Sequence, residues 1–284
     1  MAIGASTLLL AGCLLTSVGP PVGTAPLRYR DQVFAAVSVT RNAAYGSAPG
    51  VDSQPEKLLL DFYQPTGDTI TKRPVIIWAH AGGFSGGNKS DDGYLVEPLV
   101  KRGYVVLAIN YRLLAPGGCT GSSLTPTCIA AATGAIEDGQ AAVRWARRYA
   151  AFLRLDPNRI AISGFSAGAI IATGVGLGSE NVGASGNPGY SSRVRAWVSV
   201  AGGLPAGQGA DATDPPGYLF SGTADTTVPY QWSVDTAHAL DNAGVFAVLN
   251  SRQGAGHDLP DLTVLATQSA NFYYRTLDQA HAQR

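Results

Sequence analysis

The sequence predicts an α/β fold, a mostly parallel central sheet with helices on both faces, and three observations carry that prediction. Short, β-branched apolar runs recur along the chain, and stretches of helical period or Gly/Pro punctuation separate them. The runs are apolar almost throughout, as strands covered on both sides must be. No linker long enough to divide the chain follows residue 50, so residues 26–284 read as a single domain.

The strands expected, in order, are "KLLLDFY" from Lys57, "PVIIWAH" from Pro74, "YVVLAIN" from Tyr104, "RIAIS" from Arg159, "VRAWVSV" from Val194, "GYLFSG" from Gly217 and "VFAVLN" from Val245. Between them lie helix candidates. "DDGYLVEPLVKRG" has Asp at its start and Gly103 at its stop, with Pro98 expected near the first turn or at a kink. "AIEDGQAAVRWARRYA" puts Ile136, Val143, Ala146 and Ala150 on one face, with Glu137 early and Arg147 and Arg148 late. "AGAIIATGVGLG" after Ser166 is a small-residue helix suited to close packing on a sheet. Two more follow, from about Tyr230 to Ala243 and from near Leu262.

Residues 1–25 stand apart. "MAIGASTLLLAGCLLTSVGPPVG" is apolar, then small and Pro-rich, and reads as a signal-like, lipoprotein-like segment. Within it "LAGC" looks like a bacterial lipoprotein box, which makes Cys13 a candidate for lipidation and predicts a secreted, periplasmic or cell-surface protein. The apolar run is too short to span a bilayer. Lys+Arg and Asp+Glu both number 20, so the net charge of zero favours neither nucleic acid nor an anionic membrane as partner.

Besides Cys13 the chain has Cys119 and Cys128, closing the loop "CTGSSLTPTC". The pair reads as a disulfide of an oxidising compartment, the alternative being two free thiols. One C-x8-C offers too few ligands for a closed zinc site, and neither a metal nor an organic cofactor is expected.

Two stretches contain G-x-S-x-G, "GGFSGG" around Ser85 and "SGFSAG" around Ser166. Ser166 follows a short β run and precedes a helix, the strand, sharp turn and helix that a nucleophilic serine needs to project its hydroxyl. Ser85 is followed by loop. A serine hydroxyl also needs a base to take its proton and a carboxylate to orient that base. Of four histidines, His257 in "QGAGHDLP" lies in a Gly-rich turn just past the last strand, whereas His80 ends a strand, His238 sits mid-helix and His281 is in the tail. Asp225, after the strand "YLF" and a Gly turn, completes the order Ser, acid, His better than Asp211 or Asp214. "HAGGFSGG" follows a strand and is rich enough in glycine to bring its backbone close to a developing oxyanion. Gly82 and Gly83, with the amide of Ala167, are the expected donors.

Taken together, "LLLDFYQP", "HAGGFSGG", "NYRLLAP", "IEDGQAAVRWARR", "LDPNRIAISGFSAGA", "GTADTTVP" and "GAGHDL" resemble the α/β-hydrolase superfamily, and among its members the small carboxylesterases with an HGGG-type motif, including the feruloyl and acetylxylan esterase branch. The resemblance runs from about residue 55 to the C-terminus. It implies the α/β-hydrolase fold without a large cap domain, an open cleft with the cystine loop from Ala115 to Cys128 as one rim, and hydrolysis of carboxylic esters, small or polymer-linked, such as acetyl or feruloyl esters of polysaccharide. By motif it makes Ser166 the nucleophile, His257 the base and Asp225 the acid. His80, Ala81, Gly82 and Gly83 stand where the family usually has HGGG. A polyester hydrolase or serine peptidase would use the same machinery, and a non-catalytic binding protein of this fold would normally lack one of the three side chains.

Overall fold

In a computed structural model, which describes residues 14–120, 124–205, 207 and 209–277, the apolar runs pair into an eight-stranded sheet. The strands are β1 (Val37–Pro49), β2 (Pro55–Pro65), β3 (Arg73–Ala79), β4 (Val105–Ile109), β5 (Leu155–Phe165), β6 (Ala196–Val200), β7 (Gly217–Gly222) and β8 (Ala247–Arg252). Their order is β1-β2-β4-β3-β5-β6-β7-β8. β1 pairs antiparallel with β2, and β2 with β4. From β4 through β8 every pairing is parallel. Every residue of β3, β4 and β6 is buried, as their continuous apolar sequence demands.

Seven strands stand where the sequence places them, and β1 is an addition. Its sequence, "VSVTRNAAYGSAP", is broken by polar residues, because it lies at the sheet edge with much of its length exposed. Its register also shifts twice, between Thr40 and Ala43 and between Ala44 and Gly46, which removes the period-2 pattern that would have marked it.

The helices are α1 (Gly93–Val100), α2 (Pro126–Arg148), α3 (Ala167–Leu177), α4 (Tyr230–Asn242) and α5 (Leu262–Thr276). One apolar cluster joins α2, α3 and α4 to one face of the sheet, and a second joins α1 and α5 to the other. Burial of these two stripes is the main force holding the layers together. Two helices depart from expectation. Pro98 sits at the sixth residue of α1, in its last turn, and Asp92 at the N-cap gives its carboxylate to the Trp78 indole N–H (2.9 Å) rather than to the helix amides. α2 starts well before the predicted amphipathic stretch: Thr125 accepts from the Cys128 amide, and Pro126 opens the helix. Cys128 therefore belongs to a helical first turn rather than to a loop.

Part of the segment read as signal-like packs on the sheet. Leu15 forms a parallel bridge with Val248, and its carbonyl accepts the Leu249 amide at 2.8 Å. Val18 is buried, its amide donating to Gln268 Oε1 and its carbonyl accepting from Asn271 Nδ2. Cys13 and His281 lie outside the described residues. Among those residues no helix is long and apolar enough to cross a membrane.

Candidate active site

The site forms where the parallel strands end. β3 and β5 are neighbours, with Ala79 opposite Gly164, so the turn after β3 and the turn after β5 emerge side by side. The second turn carries Ser166 at φ 57° and ψ −116°, a left-handed φ that L-residues rarely adopt. The two glycines of "GFSAG" make the turn sterically feasible. A Cβ on Gly168 would lie 2.0 Å from the Ala79 carbonyl oxygen, and one on Gly164 would lie 2.2 Å from that of Gly168. The Ser166 amide is tied to the Val200 carbonyl at 2.9 Å, and α3 begins at the next residue.

The Ser166 hydroxyl is 2.8 Å from His257 Nε2. His257 Nδ1 is 2.8 Å from Asp225 Oδ2, and Asp225 Oδ1 accepts the amides of Thr227 (2.9 Å) and Val228 (3.1 Å). The Asp225 side chain is fully buried, that of His257 partly exposed. A carboxylate only accepts, so Nδ1 carries the imidazole proton and Nε2 is left to accept from the serine. Three turns, after β5, β7 and β8, thus bring together residues 91 and 32 positions apart. Sequence reading did not anticipate Phe165, whose ring stacks on His257 at 5.5 Å and 21°. It stands in the variable position of the serine motif, where no rule would single it out.

The other candidates are elsewhere. Ser85 is exposed, its hydroxyl donating to the Gly82 carbonyl of its own turn. Asp211 and Asp214 hold one another's loop together, and His238 is exposed on α4. His80 is buried at the end of β3. Its Nδ1–H donates to the Ala81 carbonyl at 2.6 Å, its ring stacks on Tyr111 at 4.3 Å, and the Tyr111 hydroxyl donates to the His80 carbonyl. Burial lowers the His80 pKa and keeps the ring neutral beneath the glycine turn. Within that turn Gly82 (φ 129°) and Gly83 (φ 58°) adopt left-handed backbone, and a Cβ on Gly82 would lie 2.0 Å from the Gly86 carbonyl oxygen. Among the described residues no acceptor takes the amides of Gly82, Gly83 or Ala167.

Cys119 and Cys128 are joined as a disulfide. It forms part of the wall of a cavity of about 490 Å3 that lies between α2, α3 and the segment before α4. Phe84, Ile129, Ile170, Leu204, Val228 and Trp232 give it an apolar lining, and Glu137 adds a carboxylate. Ile170 is one turn beyond Ser166 on α3, and Thr227 and Val228 are the residues whose amides hold Asp225, so the cavity shares walls with the segments that carry the serine and the acid. A hollow of about 130 Å3 is bordered by Tyr94, Phe165 and Asp258, the last adjoining His257 in sequence. Among the described residues no group of three or more His, Cys, Asp or Glu side chains could hold a metal ion.

Comparison with known proteins agrees with this architecture. The chain is 36% identical over 104 residues to the juvenile hormone esterase of Heliothis virescens, covering 37% of this chain and 18% of that one. It spans about a fifth of the length of the curated relatives it matches. A truncated carbohydrate esterase from gut microbiota superposes with a TM-score of 0.65 at 23% identity, covering 87% of this chain and 98% of that one. Thermogutta terrifontis esterase 2, phosphorylated by paraoxon, does so with a TM-score of 0.62 at 26% identity, covering 89% and 95%. The model of the BD-FAE family matches residues 60–202, which take in the glycine turn and Ser166 and stop short of Asp225 and His257. With half its length matched and the eight-stranded sheet of such esterases around it, the chain belongs to the BD-FAE family of α/β-hydrolase esterases.

Proposed function

We propose that this protein is a serine carboxylesterase that works through an acyl-enzyme, and the observation that carries the reading is the unbroken hydrogen-bond chain from Ser166 through His257 to Asp225. As the Ser166 oxygen attacks an ester carbonyl, its proton passes to His257 Nε2, and Asp225 stabilises the imidazolium through Nδ1–H. The carbonyl oxygen, now negative, is received by the amides of Gly82, Gly83 and Ala167, whose hydrogen bonds are uncommitted. The imidazolium then gives its proton to the leaving alcohol oxygen as the C–O bond breaks. Water, deprotonated by the same nitrogen, attacks the acyl-enzyme and returns the serine.

The apolar cavity beside Ile170 suits the acyl group, with room for a short chain or an aromatic acid such as a feruloyl group. The hollow bordered by Phe165, whose ring stacks on His257, offers the Tyr94 hydroxyl and the Asp258 carboxylate to the hydroxyls of an alcohol such as a sugar. A disulfide beside the site supports an exported protein, since such bonds persist in oxidising compartments.

The test is stoichiometric. Incubation with paraoxon should phosphorylate Ser166 alone, seen by peptide mass, and abolish hydrolysis of p-nitrophenyl acetate. Ser166→Ala should be inactive and unlabelled while Ser85→Ala keeps most activity; a Ser166→Ala variant that retained turnover would defeat the assignment.

A further inference from the structure

The glycine turn after β3 is fixed by contacts whose geometry can be followed peptide by peptide. In a trans peptide the C=O and the following N–H point in opposite directions. The Gly82 carbonyl is held inward by the amides of Ser85 (3.0 Å) and Gly86 (3.1 Å) and by the Ser85 hydroxyl (3.2 Å). The Gly83 amide is therefore turned outward. These bonds lie within the turn and set its shape, while the buried Phe84 ring packs edge-on against Tyr111.

The backbone contacts that the turn receives from outside come from the segment after β4. The Cys119 amide donates to the Gly83 carbonyl at 2.9 Å, and the Ala115 amide to the Phe84 carbonyl at 3.1 Å. A strap of five residues, closed on itself by the Gly118 amide donating to the Ala115 carbonyl, thus grips the two residues after Gly82. The strap ends at Cys119, whose sulfur is bonded to Cys128 in the first turn of α2. α2 is itself held by buried contacts: the Arg112 Nε donates to Asp138, which also accepts from Ser185 Oγ at 2.5 Å. The 23-residue helix is thereby connected by one covalent bond and two backbone hydrogen bonds to the oxyanion turn.

We infer that the Cys119–Cys128 disulfide is a positioning element for transition-state binding: it anchors the 115–119 strap to α2, and the strap holds the Gly82 and Gly83 amides toward the reacting carbonyl. This rests on the reading of those amides as oxyanion donors. Its signature is a loss in kcat without a matching loss in substrate binding, because misplaced donors weaken the transition state more than the ground state.

The experiment compares oxidised protein, protein reduced with a phosphine under native conditions, and the double variant Cys119→Ser, Cys128→Ser. The substrate is p-nitrophenyl acetate, whose acetyl group is too small to depend on the cystine wall of the cavity. Reduction should lower kcat about tenfold or more, given that a donor displaced by an ångström costs on the order of a hundredfold, while KM moves less than about twofold. Reoxidation should restore kcat. Hydrogen exchange in the peptide spanning residues 80–88 should quicken on reduction, a readout that needs no turnover. Unchanged kcat and unchanged exchange in protein shown to be fully reduced would overturn the inference. So would a loss of kcat that merely follows loss of the folded circular dichroism signal. If the oxidised protein hydrolysed no ester but exchange still quickened, the anchoring would stand and the esterase reading would fall.

Discussion

The ring of Phe165 lies 5.5 Å from that of His257, nearly parallel to it, so the residue before Ser166 also seats the imidazole. The stack limits rotation of the imidazole about the axis that its bonds to Asp225 and Ser166 leave least defended. Aromatic pairs of this kind contribute about 0.5–1.5 kcal/mol beyond their burial. Phe165→Ala should therefore reduce kcat by roughly 3–10-fold, and Phe165→Tyr should restore most of it. Equal kcat in the Ala variant and wild type would show that the hydrogen bonds hold the base unaided.

Asp225→Asn keeps an acceptor for the Thr227 and Val228 amides, so the turn should survive. The amide cannot stabilise an imidazolium and favours the wrong tautomer, and kcat for an activated ester should fall by roughly 10³–10⁴-fold. Asp211→Asn, in a solvated loop, should change nothing. Steady-state kinetics with the folded state checked by circular dichroism decides between them.

Ile170 lines the cavity proposed for the acyl group. Ile170→Trp should leave kcat/KM for p-nitrophenyl acetate within about threefold while lowering that for p-nitrophenyl octanoate or methyl ferulate by about tenfold or more, the range a hydrophobic pocket can discriminate. Parallel losses on all three esters would place the acyl group elsewhere.

Burial lowers the pKa of His80 below its ordinary value of 6.5. The unfolded chain therefore binds a proton near pH 6.5 that the folded chain does not yet take. Its contribution to stability is full above that pH and is lost as pH falls through and below it, until the folded pKa is reached. Denaturant midpoints measured from pH 8 to pH 5 should decline in wild type and decline less in His80→Asn, whose amide can still donate to the Ala81 carbonyl. Parallel curves would mean that His80 titrates normally.

Residues 14–18 cover the open edge of β8 and bury Val18. A chain starting after Val18 should melt roughly 4–8 °C below one starting at Leu14, from the loss of one buried aliphatic side chain and about three hydrogen bonds. It should also associate more readily through the exposed strand. Melting curves and light scattering of the two forms would reveal either effect, and identical curves would show the contact to be incidental.

What could be read in advance followed from patterns that one physical requirement dictates. That Ser166, Asp225 and His257 would meet was legible because a serine between strand and helix, a strand-end acid and a late histidine each have a local signature, and strands β2 to β8 because their apolar runs stand out. β1 was not, since its bulges at Thr40 and Ala44 erase the alternation and one is shaped by a distant partner: Asp61 on β2 accepts the Asn42 amide and the Arg41 guanidinium. The seat of His257 on Phe165 and the grip of Cys119 on Gly83 depend on which segments meet across the sheet, and spacing along the chain carries no record of that. The early start of α2 was different in kind. Thr125 and Pro126 announce it, but the prolines and serines around them read equally as loop.

The bridge between Leu15 and Val248 is parallel and lies at the start of β8, whereas Ser166, Asp225 and His257 all stand beyond the far ends of their strands. Leu15 thus stands toward the end of the sheet opposite the one that carries Ser166. The segment from Leu14 to Val18 therefore works as a remote clasp: it can be loosened or tightened to set how firmly the sheet edge closes without disturbing the geometry around Ser166.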